Sequence, residues 1–112
     1  MTDEEFELDW FDEETTGLYR NTKQRWNQLR NAPGQTETTL KIQRIFRSAR
    51  PDLNRAIDSR NMVQFKGFLN QLNSNLEDPE DELKVHGAGN VATQAAAAFI
   101  SELRELYDAL QL

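Results

Sequence analysis

Apolar residues in this 112-residue chain recur at intervals of three and four, and nowhere alternate with period two long enough to make a strand. β-branched residues are sparse as well, so the expected fold class is all-α. The length allows one domain that buries roughly two-thirds of its unfolded surface, which predicts a small single-domain bundle of about four to five helices.

The spacing places the elements. A first helix is predicted over about residues 16–31, with Leu18, Thr22, Trp26 and Leu29 on one face and Asn31-Ala32-Pro33-Gly34 ending it. A second runs from about Thr36 to Arg50 with Ile42, Ile45, Phe46 and Ala49 as its stripe, and Pro51 is expected to stop it. Beyond Pro51 the apolar positions change phase: Leu53, Ala56 and Ile57 share one face, while Met62, Phe65, Leu69, Leu72 and Leu76 define another. A short helix, a turn at Asp58-Ser59-Arg60-Asn61 capped by Asp58 or Ser59, and a longer helix make a central αα-hairpin. Residues 77–90, opening with Glu77-Asp78-Pro79-Glu80-Asp81-Glu82, read as an acidic linker. Asn90 then caps a last helix over about 91–111, where Ala92, Ala95, Ala96, Phe99, Ile100, Leu103, Leu106, Tyr107 and Leu110 cover a broad face.

Charge is distributed unevenly over these elements. Residues 1–14 hold eight carboxylates and no base; residues 15–76 hold eleven Lys/Arg against three acids; residues 77–112 hold eight acids against two bases. The net charge of −6 therefore conceals a cationic middle between two anionic ends. Such a middle suits a polyanion, or the chain's own acidic ends folded back on it.

On the second helix Lys41, Arg44, Arg47 and Arg50 are spaced by three, opposite the apolar stripe. On the first, Arg20, Lys23 and Arg30 fall within about 80° of one another on the helical wheel. If the two helices pack side by side, these faces merge into one patch for nucleic-acid phosphates, each neutralised phosphate releasing a counterion. The opposing reading is an ordinary charged helix surface. No helix-turn-helix signature and no Gly-aromatic motif of an RNA-binding sheet accompanies the cations. Leu40 projects from the same basic side, which points to a protein contact there.

The acidic segment 1–14 carries Phe6, Leu8, Trp10 and Phe11, and is either an arm or a first helix preceding a helical domain over 15–112. Acidic segments with aromatic anchors dock into grooves of partner proteins, although the same aromatics serve equally well as core residues of a first helix. The two function classes expected are thus a non-enzymatic nucleic-acid-binding accessory protein and a protein-interaction adaptor or inhibitor.

Gly87-Ala88-Gly89-Asn90-Val91-Ala92 satisfies G-x-G-x-x-A, but no strand of useful length precedes it and no βαβ unit surrounds it, so a dinucleotide site is not expected. His86 is the one histidine and cysteine is absent, which removes thiolate and histidine-cluster metal sites and disulfides. No catalytic residue, metal or cofactor is expected. Without a long apolar run or a basic-then-apolar leader, the chain reads as a soluble, cytoplasmic protein with no membrane partner. The broad apolar face of the last helix suggests a homo-oligomer, unless that helix is the central one of the bundle.

Overall fold

The computed structural model describes residues 13–85 and 90–110. These residues form α1 (Glu13–Asn31), α2 (Glu37–Asp58), α3 (Met62–Asn75), α4 (Glu77–Val85) and α5 (Val91–Leu110), with no strand among them. The fold is the expected small all-α bundle, with Leu76 alone separating α3 from α4. Phe6, Leu8, Trp10, Phe11 and His86 lie outside the described residues.

α5 is the middle of the bundle and touches each of the other four helices, most extensively α1. Its Ala92 and Ala96 are fully buried, and so short a side chain lets a neighbouring helix come close. Phe99, Ile100, Leu103 and Leu106 complete the buried face. The width of this face, which suggested self-association, is thus used within one chain. At the centre, one aromatic from each of three helices meets the others: Trp26 of α1 and Phe46 of α2 at 4.7 Å between ring centroids, Phe46 and Phe99 of α5 at 4.8 Å, Trp26 and Phe99 at 5.7 Å.

Three expectations are corrected. Pro51 does not end α2, which continues to Asp58. A proline inside a helix costs about 3 kcal/mol, whereas burying Leu53 and Ile57 contributes about 1.5–3 kcal/mol each. Both are 3% exposed, so burial wins. The apolar stripe in fact keeps its spacing across the proline, through Ile42, Phe46, Ala49, Leu53 and Ala56. The hairpin is therefore built from the long α2 and α3. Its turn also differs, because Asp58 and Ser59 belong to the close of α2 and the cap of α3 is Asn61, whose side chain accepts from Gln64 N at 3.0 Å. Arg60 takes the left-handed conformation (φ 54°), and Arg60 N to Ile57 O (3.0 Å) and Asn61 N to Ala56 O (2.9 Å) satisfy the last carbonyls of α2, a Schellman turn.

The third correction concerns the acidic stretch, of which Glu77–Val85 is helical. Pro79 sits in the first turn, where an amide hydrogen would have no acceptor within the helix, and Glu77, Asp78 and Glu80 favour the positive end of the helix dipole. Pro79 and Leu83 are buried against the bundle, while Thr38 donates to Glu82 Oε2 at 2.9 Å and Arg104 pairs with Glu80 at 2.9 Å. The carboxylates that read as linker are thus partly spent on anchoring α4.

The connection from α1 to α2 is held by Gln35. Its Nε2 donates to Leu29 O (2.7 Å) and Ala32 O (3.1 Å) at the end of α1, and its Oε1 accepts from Thr39 Oγ1 and Gln43 Nε2 of α2, both at 2.8 Å. Thr36 and Thr39 form a reciprocal capping box at the start of α2. Gly34 turns the chain with φ 79°, and a Cβ added there would lie 2.8 Å from Asn90 Nδ2. Asn90 caps α5 by accepting from Thr93 N at 3.1 Å. Gly34→Ala should therefore lower stability by about 1–3 kcal/mol, combining left-handed strain with a disturbed cap. Thermal unfolding followed by circular dichroism measures this, and an unchanged midpoint would refute it.

Candidate cationic groove

α1 and α2 meet only lightly, since each leans on other helices, and the space between them is a groove of about 330 Å³. Its floor is apolar. Tyr19 and Trp26 from α1 and Phe46 and Leu53 from α2 line it, all less than 9% exposed. The rim is cationic: Arg20, Lys23 and Arg30 come from α1 and Arg50 from α2. Gln24, Asn27 and Asn54 add side-chain amides, and among the described residues no carboxylate lines the groove.

Helical spacing explains the arrangement. Positions 19, 23, 26 and 30 follow steps of four, three and four, so the cations flank the aromatic face of α1 along one edge. On α2, residues 46, 50 and 53 do the same. The aromatic rings also hold two of the charges against the wall: Lys23 Nζ lies 5.0 Å from the Tyr19 ring centroid and Arg30 Cζ lies 5.9 Å from that of Trp26. Burial of Lys23, followed by the positive charge of Arg50, lowers its pKa from the ordinary 10.5.

The structure brings together four of the seven cations predicted from sequence and leaves three apart. Lys41 stands outside the groove with its Nζ 3.8 Å from Glu82 Oε1, so α4 neutralises that end of the α2 stripe. Arg44 and Arg47 are exposed on α2, also outside the groove, and make no ion pair among the described residues. Leu40 is 45% exposed, in keeping with its predicted position. The sequence reading missed the aromatic floor and the amides. Trp26 was assigned to the core stripe, and its position within about 60° of both Lys23 and Arg30 on the wheel was the available signal for its second role.

Among the described residues no group of three or more His, Asp or Glu side chains could hold a metal ion, and no helix is long and apolar enough to cross a membrane. The chemistry the groove offers is recognition of anions by guanidinium forks and an ammonium over an apolar floor, with amides placed for hydrogen bonds to neighbouring polar groups. Comparison with protein-family models, with curated proteins and with solved structures gives no match to the chain.

Proposed function

We propose that the chain is a non-enzymatic nucleic-acid-binding protein that holds a phosphate backbone in the groove between α1 and α2. The observation that carries this reading is the convergence of Arg20, Lys23, Arg30 and Arg50 from two helices on one groove that no carboxylate among the described residues lines. Arg20 and Arg30 are ten residues apart on α1, about 15 Å along the axis, long enough for the groove to follow several phosphates of one strand rather than a single one. Contacts of this kind position a strand without reading its bases.

Titration with short single- and double-stranded DNA and RNA over a range of salt tests the reading. Four phosphate contacts give a slope of log K against log salt of about −3.6 on duplex and about −2.8 on single strands. Absence of binding by any of these at low salt would refute it. The other reading, a protein-interaction adaptor, rests on the exposure of Leu40 and would then take its place.

Lys23 supplies a pH dependence. Its pKa in the free protein is lowered from 10.5, and a phosphate in the groove favours the ammonium and draws the value back up. Binding is thus accompanied by proton uptake in the window below 10.5, and affinity falls as pH rises through it. Folding has the opposite sign: the penalty from charging Lys23 is fully present at pH values below its folded pKa and is relieved as pH rises toward 10.5, so stability rises over the window in which affinity falls. Dissociation constants measured from neutral to alkaline pH should show the weakening, and Lys23→Arg should flatten it. A flat profile for the unmodified chain would show that Lys23 makes no phosphate contact.

A further inference from the structure

We propose that the groove seats one unpaired base of a single strand, with the Trp26 indole N–H donating to an acceptor on the edge of that base. The proposal rests on the nucleic-acid reading above and names the form of nucleic acid that the groove selects.

Phosphate contacts use the cationic rim and leave the floor unexplained. Trp26 is 3% exposed and lines the groove, and its Nε1 is buried with no hydrogen-bond partner among the described residues. Buried donors are nearly always paired, because an unmade bond leaves the loss of water uncompensated. An indole N–H can only donate, so whatever completes it carries an acceptor. The neighbours ask for an apolar, planar body around that acceptor, since Tyr19, Phe46 and Leu53 make up the rest of the floor. A base supplies both, with ring faces that pack on apolar and aromatic side chains and carbonyl or ring-nitrogen acceptors at its edge.

The size and walls of the groove fit the same occupant. A volume of about 330 Å³ lies at the small end of the range for ligand pockets, roughly 300–1,000 Å³, and gives room for a single ring system beside its phosphate. Arg20, Gln24, Asn27 and Arg30 on the α1 wall are exposed, so a base reaches Trp26 by moving flexible surface side chains rather than core ones. Arg30, with its Cζ 5.9 Å from the Trp26 ring centroid, presents a planar guanidinium of the kind on which bases stack. Gln24, Asn27 and Asn54 each offer a donor and an acceptor, which serve any base edge without choosing among sequences. In a duplex the bases are paired and stacked, and only phosphates come to the rim. Selection of single strands thus follows from the floor and not from the charge.

Titration of the full-length chain at low salt compares a short oligothymidylate with a strand of the same length whose sugars all lack bases, so that the phosphates are equal in number. The oligothymidylate should bind about 5- to 150-fold more tightly, the range for one stacked base, and its duplex with oligoadenylate should bind more weakly than the single strand. Equal affinity for the abasic strand, or for the duplex, would overturn the base seat and leave the nucleic-acid reading standing, whereas absence of binding by all three would overturn both. Trp10→Phe leaves Trp26 as the one indole of the chain. In this variant the indole N–H resonance should move downfield on adding oligothymidylate and stay in place with the abasic strand. A resonance that saturating oligothymidylate does not move would overturn the proposed hydrogen bond.

Discussion

Phe99→Ala should destabilise the domain by about 3–5 kcal/mol, the range for truncating a buried phenylalanine. Phe99 is fully buried and stands edge-on to Phe46 at 4.8 Å and beside Trp26 at 5.7 Å. The three rings belong to α5, α2 and α1, so no local rearrangement of one helix closes the void, and the cavity penalty adds to the lost burial. Small domains have a total stability of about 5–15 kcal/mol, so this one substitution removes a large share. With about 4–8 °C of midpoint per kcal/mol for a domain of about this size, unfolding should begin at least about 12 °C earlier. Urea unfolding monitored by helical circular dichroism gives the number directly. A loss below about 1 kcal/mol would show that the three rings are not a packed unit.

Arg20→Glu combined with Arg50→Glu should weaken nucleic-acid binding by about a hundredfold or more at low salt. The pair takes one cation from each wall of the groove and replaces it with a charge that repels phosphate. Losing two of four contacts alone lowers the salt slope by about 1.4 to 1.8. Neither residue belongs to the core, so the melting temperature should stay within a few degrees of the parent. The informative comparison is Arg44→Glu with Arg47→Glu, the same change in charge on the exposed stripe outside the groove. If the groove is the site, the stripe pair reduces affinity only modestly, through long-range field, and that reduction vanishes with salt. Equal losses from the two pairs would place the contact on a diffuse charged surface, and retained binding in the groove pair would remove the groove from the mechanism.

The fold was legible wherever burial and helical period coincide. The buried face of α5 from Ala92 to Leu110 and the stripe of α3 from Phe65 to Leu72 follow from spacing alone. Pro51 misled because a local rule was weighed without the tertiary burial of Leu53 and Ile57 that overrides it. The stretch from Glu77 to Glu82 misled because its partners, Thr38, Lys41 and Arg104, are distant in sequence. The site was legible in part for the same reason. Charge period found Arg20, Lys23, Arg30 and Arg50, but separating them from Lys41, Arg44 and Arg47 required the angle between two helices. That angle is set by contacts such as those of Gln35, which no periodicity reveals.

The pairing of α1 with α5 also governs the order in which the molecule can be assembled during synthesis. Trp26 and Phe99 are about seventy residues apart, whereas α2 and α3 are joined by a three-residue turn. Closing the longer loop is the more demanding entropically. On a ribosome adding about 5–20 residues per second, α1 exists for roughly 4–16 s before Leu110 is added. Over that interval Tyr19, Trp26 and Leu29 lack their main covering helix, and the nascent chain presents an amphipathic helix open to any chaperone that recognises one.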